Sequence, residues 1–154
     1  MLQFKNFRID QSRRNKMNYW LMKSEPETWS WEQQVKAGSK GEGWDGVRNY
    51  QASNNMKKME VGDLCFFYHS VKERDIVGIV KVVKKYHPDP TDKSKRFGMV
   101  SVAAVKALKN KVNLSQIKEH PKLNHLALVK QSRLSVMPID KKSWTIICNL
   151  GGIK

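Results

Sequence analysis

The chain has 154 residues, a length that favours one domain and suffices to bury a core without metals or disulfides. It carries 29 Lys and Arg against 14 Asp and Glu, a net charge of +15, which points to polyanionic partners and above all to nucleic acid. No apolar run reaches the length of a membrane span, no basic amphipathic helix stands out, and the N-terminal residues lack the apolar core of a signal peptide.

Residues 1–16, MLQFKNFRIDQSRRNK, hold five basic residues and one acid with no period. They read as a flexible basic arm ahead of a folded domain spanning 17–154. Two other readings stand: Met17 as the start, or an Arg-rich transit peptide. YWLMK, from Tyr19 to Lys23, is a short strand that ends before Pro26. Ser30 and Gln33 spell a capping box, so a helix is expected from Trp31 to Ala37, stopping at Gly38. A glycine-bearing turn follows, then a short helix in NYQASNNMKKM. LCFFYHS, from Leu64 to Ser70, reads as a buried strand. VKERD is a hairpin loop, and IVGIVKVVKKY a second strand with a bulge expected at Gly78.

The prolines and charges of His87 to Arg96 make a loop, and FGMVSVAAVKAL alternates as a third strand. LSQIKEHP is a short helix, LNHLALV a second short apolar segment, and SRLSVMPI is extended. The last helix starts at Asp140 as N-cap, carries an Ile139–Trp144 staple and ends at Gly151. Strands in the middle with helices at the ends and between imply an α+β domain around a twisted, partly closed sheet. Cys65 and Cys148 are far apart in apolar segments and read as buried free thiols. They suit a reducing, cytoplasmic compartment: a bacterial cytosol or nucleoid, or the nucleus of a eukaryote.

Gly41, Gly43 and Gly46 spell G-x-G-x-x-G, but the context fails. The preceding KAGSK is a polar helix exit rather than a buried strand, and Glu42 and Asp45 stand where a pyrophosphate would lie. No P-loop, nucleophile elbow or metal-ligand spacing occurs, and His120 and His125 are separated by Pro121. No cofactor and no metal are expected. Trp44 is the unusual residue of this turn, because its neighbours are turn formers and polar groups. Two readings compete for it: core packing, or a face offered to a flat ring, with Arg48 and Asn49 supplying phosphate or base-edge contacts.

Five ordered blocks are similar to the EVE domain: YWLMKSEP at Tyr19–Pro26, WDGVRNYQA at Trp44–Ala52, VGDLCFFYHS at Val61–Ser70, YHPDPT at Tyr86–Thr91 and LVKQSRLSVMPI at Leu128–Ile139. The resemblance covers residues 17 to about 150, with a loop after Thr91 shorter than in many members. It implies a PUA-like mixed β-barrel flanked by short helices, related to the YTH domain, and a non-catalytic module that recognises a modified, methylated nucleobase in DNA or RNA. Carried over block by block, Lys23 and Ser24 would contact a base edge and Trp44 would stack. Arg48, Asn49 and Tyr50 would line the mouth, and Tyr68 and His69 fit the F-Y-H-S block as further nucleobase-binding residues. Ser132, Arg133 and Ser135 would close the pocket or hold phosphate. Two other classes remain: a hydrolase of a modified nucleotide using Glu25, Asp45 and His69, and a general RNA-binding module without modified-base preference.

Overall fold

The computed structural model describes residues 17–153, so the basic arm lies outside the described residues. Six strands form one mixed sheet: β1 (Tyr19–Ser24), β2 (Glu42–Gly43), β3 (Leu64–His69), β4 (Asp75–Pro88), β5 (Gly98–Asn113) and β6 (Val136–Ile139). Their order is β2-β5-β4-β3-β1-β6, with β1 parallel to β3 and the other pairs antiparallel. Five helices accompany them among the described residues: α1 (Trp31–Lys36), α2 (Tyr50–Lys57), α3 (Leu114–Glu119), α4 (Ala127–Lys130) and α5 (Lys141–Leu150).

The helix starts follow from local capping chemistry. Ser30 accepts from the Gln33 amide while the Gln33 side chain returns to the Ser30 amide. Asn113 and Gln116 repeat that exchange at α3, and Asp140 caps α5 through the Ser143 amide. The two long strands exceed their apolar patterns. β5 runs on to Asn113 and β4 to Pro88, because each finds its backbone partners in the other. Gly78 sits where the registers shift on both sides of β4, and a Cβ there would fall 2.4 Å from the Trp31 ring. The bulge expected at Gly78 is therefore also the seat of an indole.

The core lies on the β1 and β3 axis of the sheet. Leu21, Met22, Phe66 and Phe67 are fully buried. Phe66 stacks on Trp144 of α5 at 3.8 Å between ring centres, and Trp144 stacks in turn on Tyr19 at 4.5 Å. Both cysteines are free and buried, and burial pushes the Cys148 thiol up to about 11. One element lies inside the segment read as a turn. Glu42 and Gly43 pair with Val102 and Ser101 of β5, which fixes the glycine segment to the sheet edge.

Candidate functional site

The glycine segment around β2 is built to hold Trp44 in place. Gly41 has φ +76 and a Cβ there would lie 2.4 Å from the Val102 carbonyl oxygen, so only glycine fits this approach to β5. The Trp44 amide donates to the Val100 carbonyl at 2.8 Å. The indole meets Phe67 edge to face at 5.4 Å, as Trp31 also does from another side. Trp44 is 7% exposed. Its remaining surface borders a cleft of about 510 Å³, within the usual range for small-molecule sites. The two competing readings of Trp44 thus combine: the indole packs in the core and also forms a cleft wall. It is not an open platform.

Lys23 and Ser24, from the end of β1, line the same cleft, together with Trp29, Glu25, Glu42 and Asp45. Three carboxylates and one ammonium make this a hydrogen-bonding cavity rather than a phosphate cradle. Burial raises the Asp45 carboxyl pKa, and the negative charges of Asp89 and Glu42 add to the rise. Burial lowers that of Lys23, whose ammonium donates to the Ser132 carbonyl at 2.9 Å and lies 5.7 Å from the centre of the Tyr68 ring. Ser24 donates its hydroxyl to the Trp29 carbonyl at 2.5 Å. The Trp29 indole donates to Gln34, a fully buried amide that in turn donates to the Val102 carbonyl. The cleft wall is thereby bonded to the sheet.

Lys23 also lines a second cleft, of about 620 Å³, with Tyr68, Ser132, Arg133 and Ser135. Arg74 and Lys118 enlarge its positive charge; sequence reasoning missed both, since each looks like an ordinary surface cation. Tyr68 is buried, and burial raises its hydroxyl pKa.

Arg48, Asn49 and Tyr50 do not line either cleft. Asn49 is the N-cap of α2, accepting from the Ala52 amide at 2.9 Å, which is sufficient reason for its type. Arg48 pairs with Asp89 at 3.1 Å and donates to the Thr91 hydroxyl at 2.9 Å. Tyr50 is exposed beside Phe97. His69 is also outside both clefts: its Nε2 accepts from the Trp31 amide at 3.1 Å. The neutral ring then carries its proton on Nδ1, which lies 2.8 Å from Glu73 without the alignment of a hydrogen bond.

Asp89 is the residue that pattern reading passed over. Its side chain is fully buried and accepts from the Gly46 amide at 2.8 Å, from Arg48 and from Thr91. Burial alone would raise its pKa; the bonds from Thr91, Gly46 and Arg48 outweigh that and lower it. The one signal for it was its place in the block YHPDPT. Among the described residues no group of three His, Cys, Asp or Glu side chains could hold a metal, and no helix is long and apolar enough to cross a membrane.

The family model described as the EVE domain matches residues 18–150. The chain belongs to the EVE family. Thymocyte nuclear protein 1 of Rattus norvegicus is a relative at 34% identity, covering 89% of this chain and 75% of its own length. The crystal structure of protein Atu2648 from Agrobacterium tumefaciens is 47% identical with a TM-score of 0.87, covering 88% of this chain and 94% of that one. The human THYN1 protein, solved in complex with 5-methylcytosine-containing DNA, is 31% identical with a TM-score of 0.81, covering 89% and 99% of the two chains. The YTH domain of Zygosaccharomyces rouxii MRB1, solved with N6-methyladenosine RNA, has a TM-score of 0.52 at 18% identity over 90% of this chain and 89% of that one, a likeness of fold alone. The expected α+β, PUA-like architecture of the EVE family is the one observed.

Proposed function

We propose that this chain is a nucleic-acid-binding module that reads a modified, methylated base in the cleft beside Trp44. The observation that carries the reading is that cleft itself, about 510 Å³ with an indole in its wall, in a chain 31% identical to a protein solved with 5-methylcytosine DNA. A base is flipped out of its stack to enter. Glu25, Glu42 and Asp45 accept hydrogen bonds from its exocyclic amine and ring N–H groups, and Lys23 donates to a ring carbonyl or nitrogen. The exposed margin of Trp44 contacts the methyl-bearing edge. One methyl adds about 1–3 kcal/mol in an apolar slot, so preference for the modified base is set by close fit at this wall.

The second cleft supports the phosphate side of the same reading. Arg74, Lys118 and Arg133 face a cavity that shares Lys23 and Glu25 with the first, so its cations outnumber its one carboxylate. Phosphates held there make affinity fall steeply with salt. Ser132 and Ser135 add hydroxyl contacts at the rim.

Binding rather than catalysis fits the arrangement of the acidic groups. Glu25 and Asp45 border the cleft, but His69 does not, and its Nε2 is engaged by the Trp31 amide. Calorimetry with methylated and plain oligonucleotides of identical sequence tests the proposal. Tighter binding of the methylated strand supports it. Equal affinity favours the general RNA-binding reading, and turnover of the modified nucleotide favours the hydrolase.

A further inference from the structure

A third cavity lies directly across the Gly46–Asp89 bond. Gly46 borders the Trp44 cleft, Asp89 borders this groove, and 2.8 Å separates their bonded atoms. The groove has a volume of about 720 Å³ and is lined by Tyr86 and Phe97 with Lys57, Lys93, Lys95 and Arg96. Two carboxylates, Asp89 and Asp92, also border it, but both are committed inward. Asp92 accepts from the amides of Ser94, Arg96 and Phe97, which holds the loop and presents its cations outward. Among the described residues none of the four groove cations forms an ion pair.

Beside the groove stands Tyr50, the first residue of α2. It is 60% exposed, although a tyrosine on a folded domain usually covers most of its ring. Its ring centre is 4.8 Å from that of Phe97 at an interplanar angle of 38°, and the Arg48 guanidinium lies over Phe97 at 5.8 Å. An exposed ring, a guanidinium on its neighbour and a row of unpaired cations form the combination that binds single-stranded nucleic acid: a base stacks and phosphates are neutralised.

We propose that Tyr50 and the Phe97 groove form a second nucleotide site, distinct from the Trp44 cleft, which takes the nucleotide flanking the modified one. Its base stacks on Tyr50, and its phosphate is held by Lys93, Lys95 and Arg96. The inference rests on the base-reading role of the Trp44 cleft for what it calls flanking, but its contacts are its own. The site adds affinity without adding modified-base preference, because stacking accepts any base.

The test uses the full chain and a single-stranded oligonucleotide of about seven nucleotides, within the usual footprint of such sites, in methylated and plain forms. Tyr50→Ala is expected to weaken both forms by about 5- to 150-fold, the loss of one stacked base, with the methylated-to-plain ratio unchanged. Tyr50→Phe and Tyr50→Trp keep wild-type affinity. Lys95→Ala makes the negative slope of log K against log salt shallower by about 0.7, one phosphate contact on a single strand. Wild-type affinity in Tyr50→Ala for both forms overturns the site. If the wild type shows no methyl preference but Tyr50→Ala still loses affinity, this site stands and the base-reading role falls. Failure of the wild type to bind either form overturns both. Equal, Tyr50-dependent binding of polyglutamate overturns the assignment to nucleotides.

Discussion

Phe67 meets the Trp44 indole edge to face, with ring centres 5.4 Å apart and an interplanar angle of 85°. The same Phe67 ring meets Trp31 at 5.4 Å, and Trp31 covers Gly78. The position of the cleft wall is thus relayed from a bulge in β4 through two rings. Gly78→Ala places a methyl against the Trp31 ring, and overpacking of this kind costs about 1–3 kcal/mol. Chemical denaturation should report that loss, with weakened oligonucleotide binding as the wall shifts.

Asp89 ties the loop after β4 to the Trp44 turn. Asp89→Ala leaves the Gly46 amide and the Arg48 guanidinium without their acceptor. Arg48 is partly exposed and recovers some solvation, so the expected loss is about 2–3 kcal/mol rather than that of a fully buried pair. Thermal unfolding measures it. Arg48→Ala should cost less, because it leaves the Asp89 bonds to Gly46 and Thr91 in place.

Asp45 carries a raised pKa in the folded chain. A carboxyl whose folded pKa exceeds its unfolded value stabilises the fold at low pH, and that contribution disappears as pH rises through the folded pKa. At neutral pH the Asp45 charge therefore opposes folding. Asp45→Asn should raise Tm at pH 7 and at the same time weaken binding of a base that donates hydrogen bonds to it. A variant that loses both stability and binding would contradict the assignment of Asp45 to the ligand.

Asp140 has the opposite sign. Burial alone would raise its carboxyl pKa, but hydrogen bonds from His125 and Ser143 outweigh that and hold it at about 2. With a folded pKa below the unfolded value of roughly 3.9, the contribution is complete above that value and is lost as pH falls towards 2. Asp140→Asn keeps an N-cap side chain and removes the charge. It should lower Tm at pH 7 and flatten the acid limb of the stability curve between about 4 and 2.

Local chemistry was legible in the sequence, and distant pairing was not. The starts of α1 and α5 were readable because the caps Ser30 and Asp140 act three residues away. β2 was hidden because Glu42 finds its partner at Val102, and Glu42–Gly43 is too short to show a period. The role of Asp89 was hidden for the same reason, since Gly46 is 43 residues distant. Within the site, Lys23, Ser24 and Trp44 border one cleft, brought there from β1 and from the turn that pairs with β5. Ser132, Arg133 and Ser135 border a second cleft, joined to the first through Lys23 and Glu25. Arg48 and Tyr50 lie across the Asp89 bond, because α2 starts at Tyr50 and turns the chain away.

The most direct test of the account concerns Trp44. Trp44→Ala opens a cavity in the core and costs about 3–5 kcal/mol, so it confounds folding with binding. Trp44→Phe keeps a ring against Phe67 and changes mainly the wall of the cleft. In a competition assay between methylated and plain oligonucleotides, the wild type is predicted to prefer the methylated strand. Trp44→Phe, folded by circular dichroism, is predicted to bind both strands with similar, salt-sensitive affinity. An unchanged preference in Trp44→Phe, or none in the wild type, would contradict the claim that this indole reads the base.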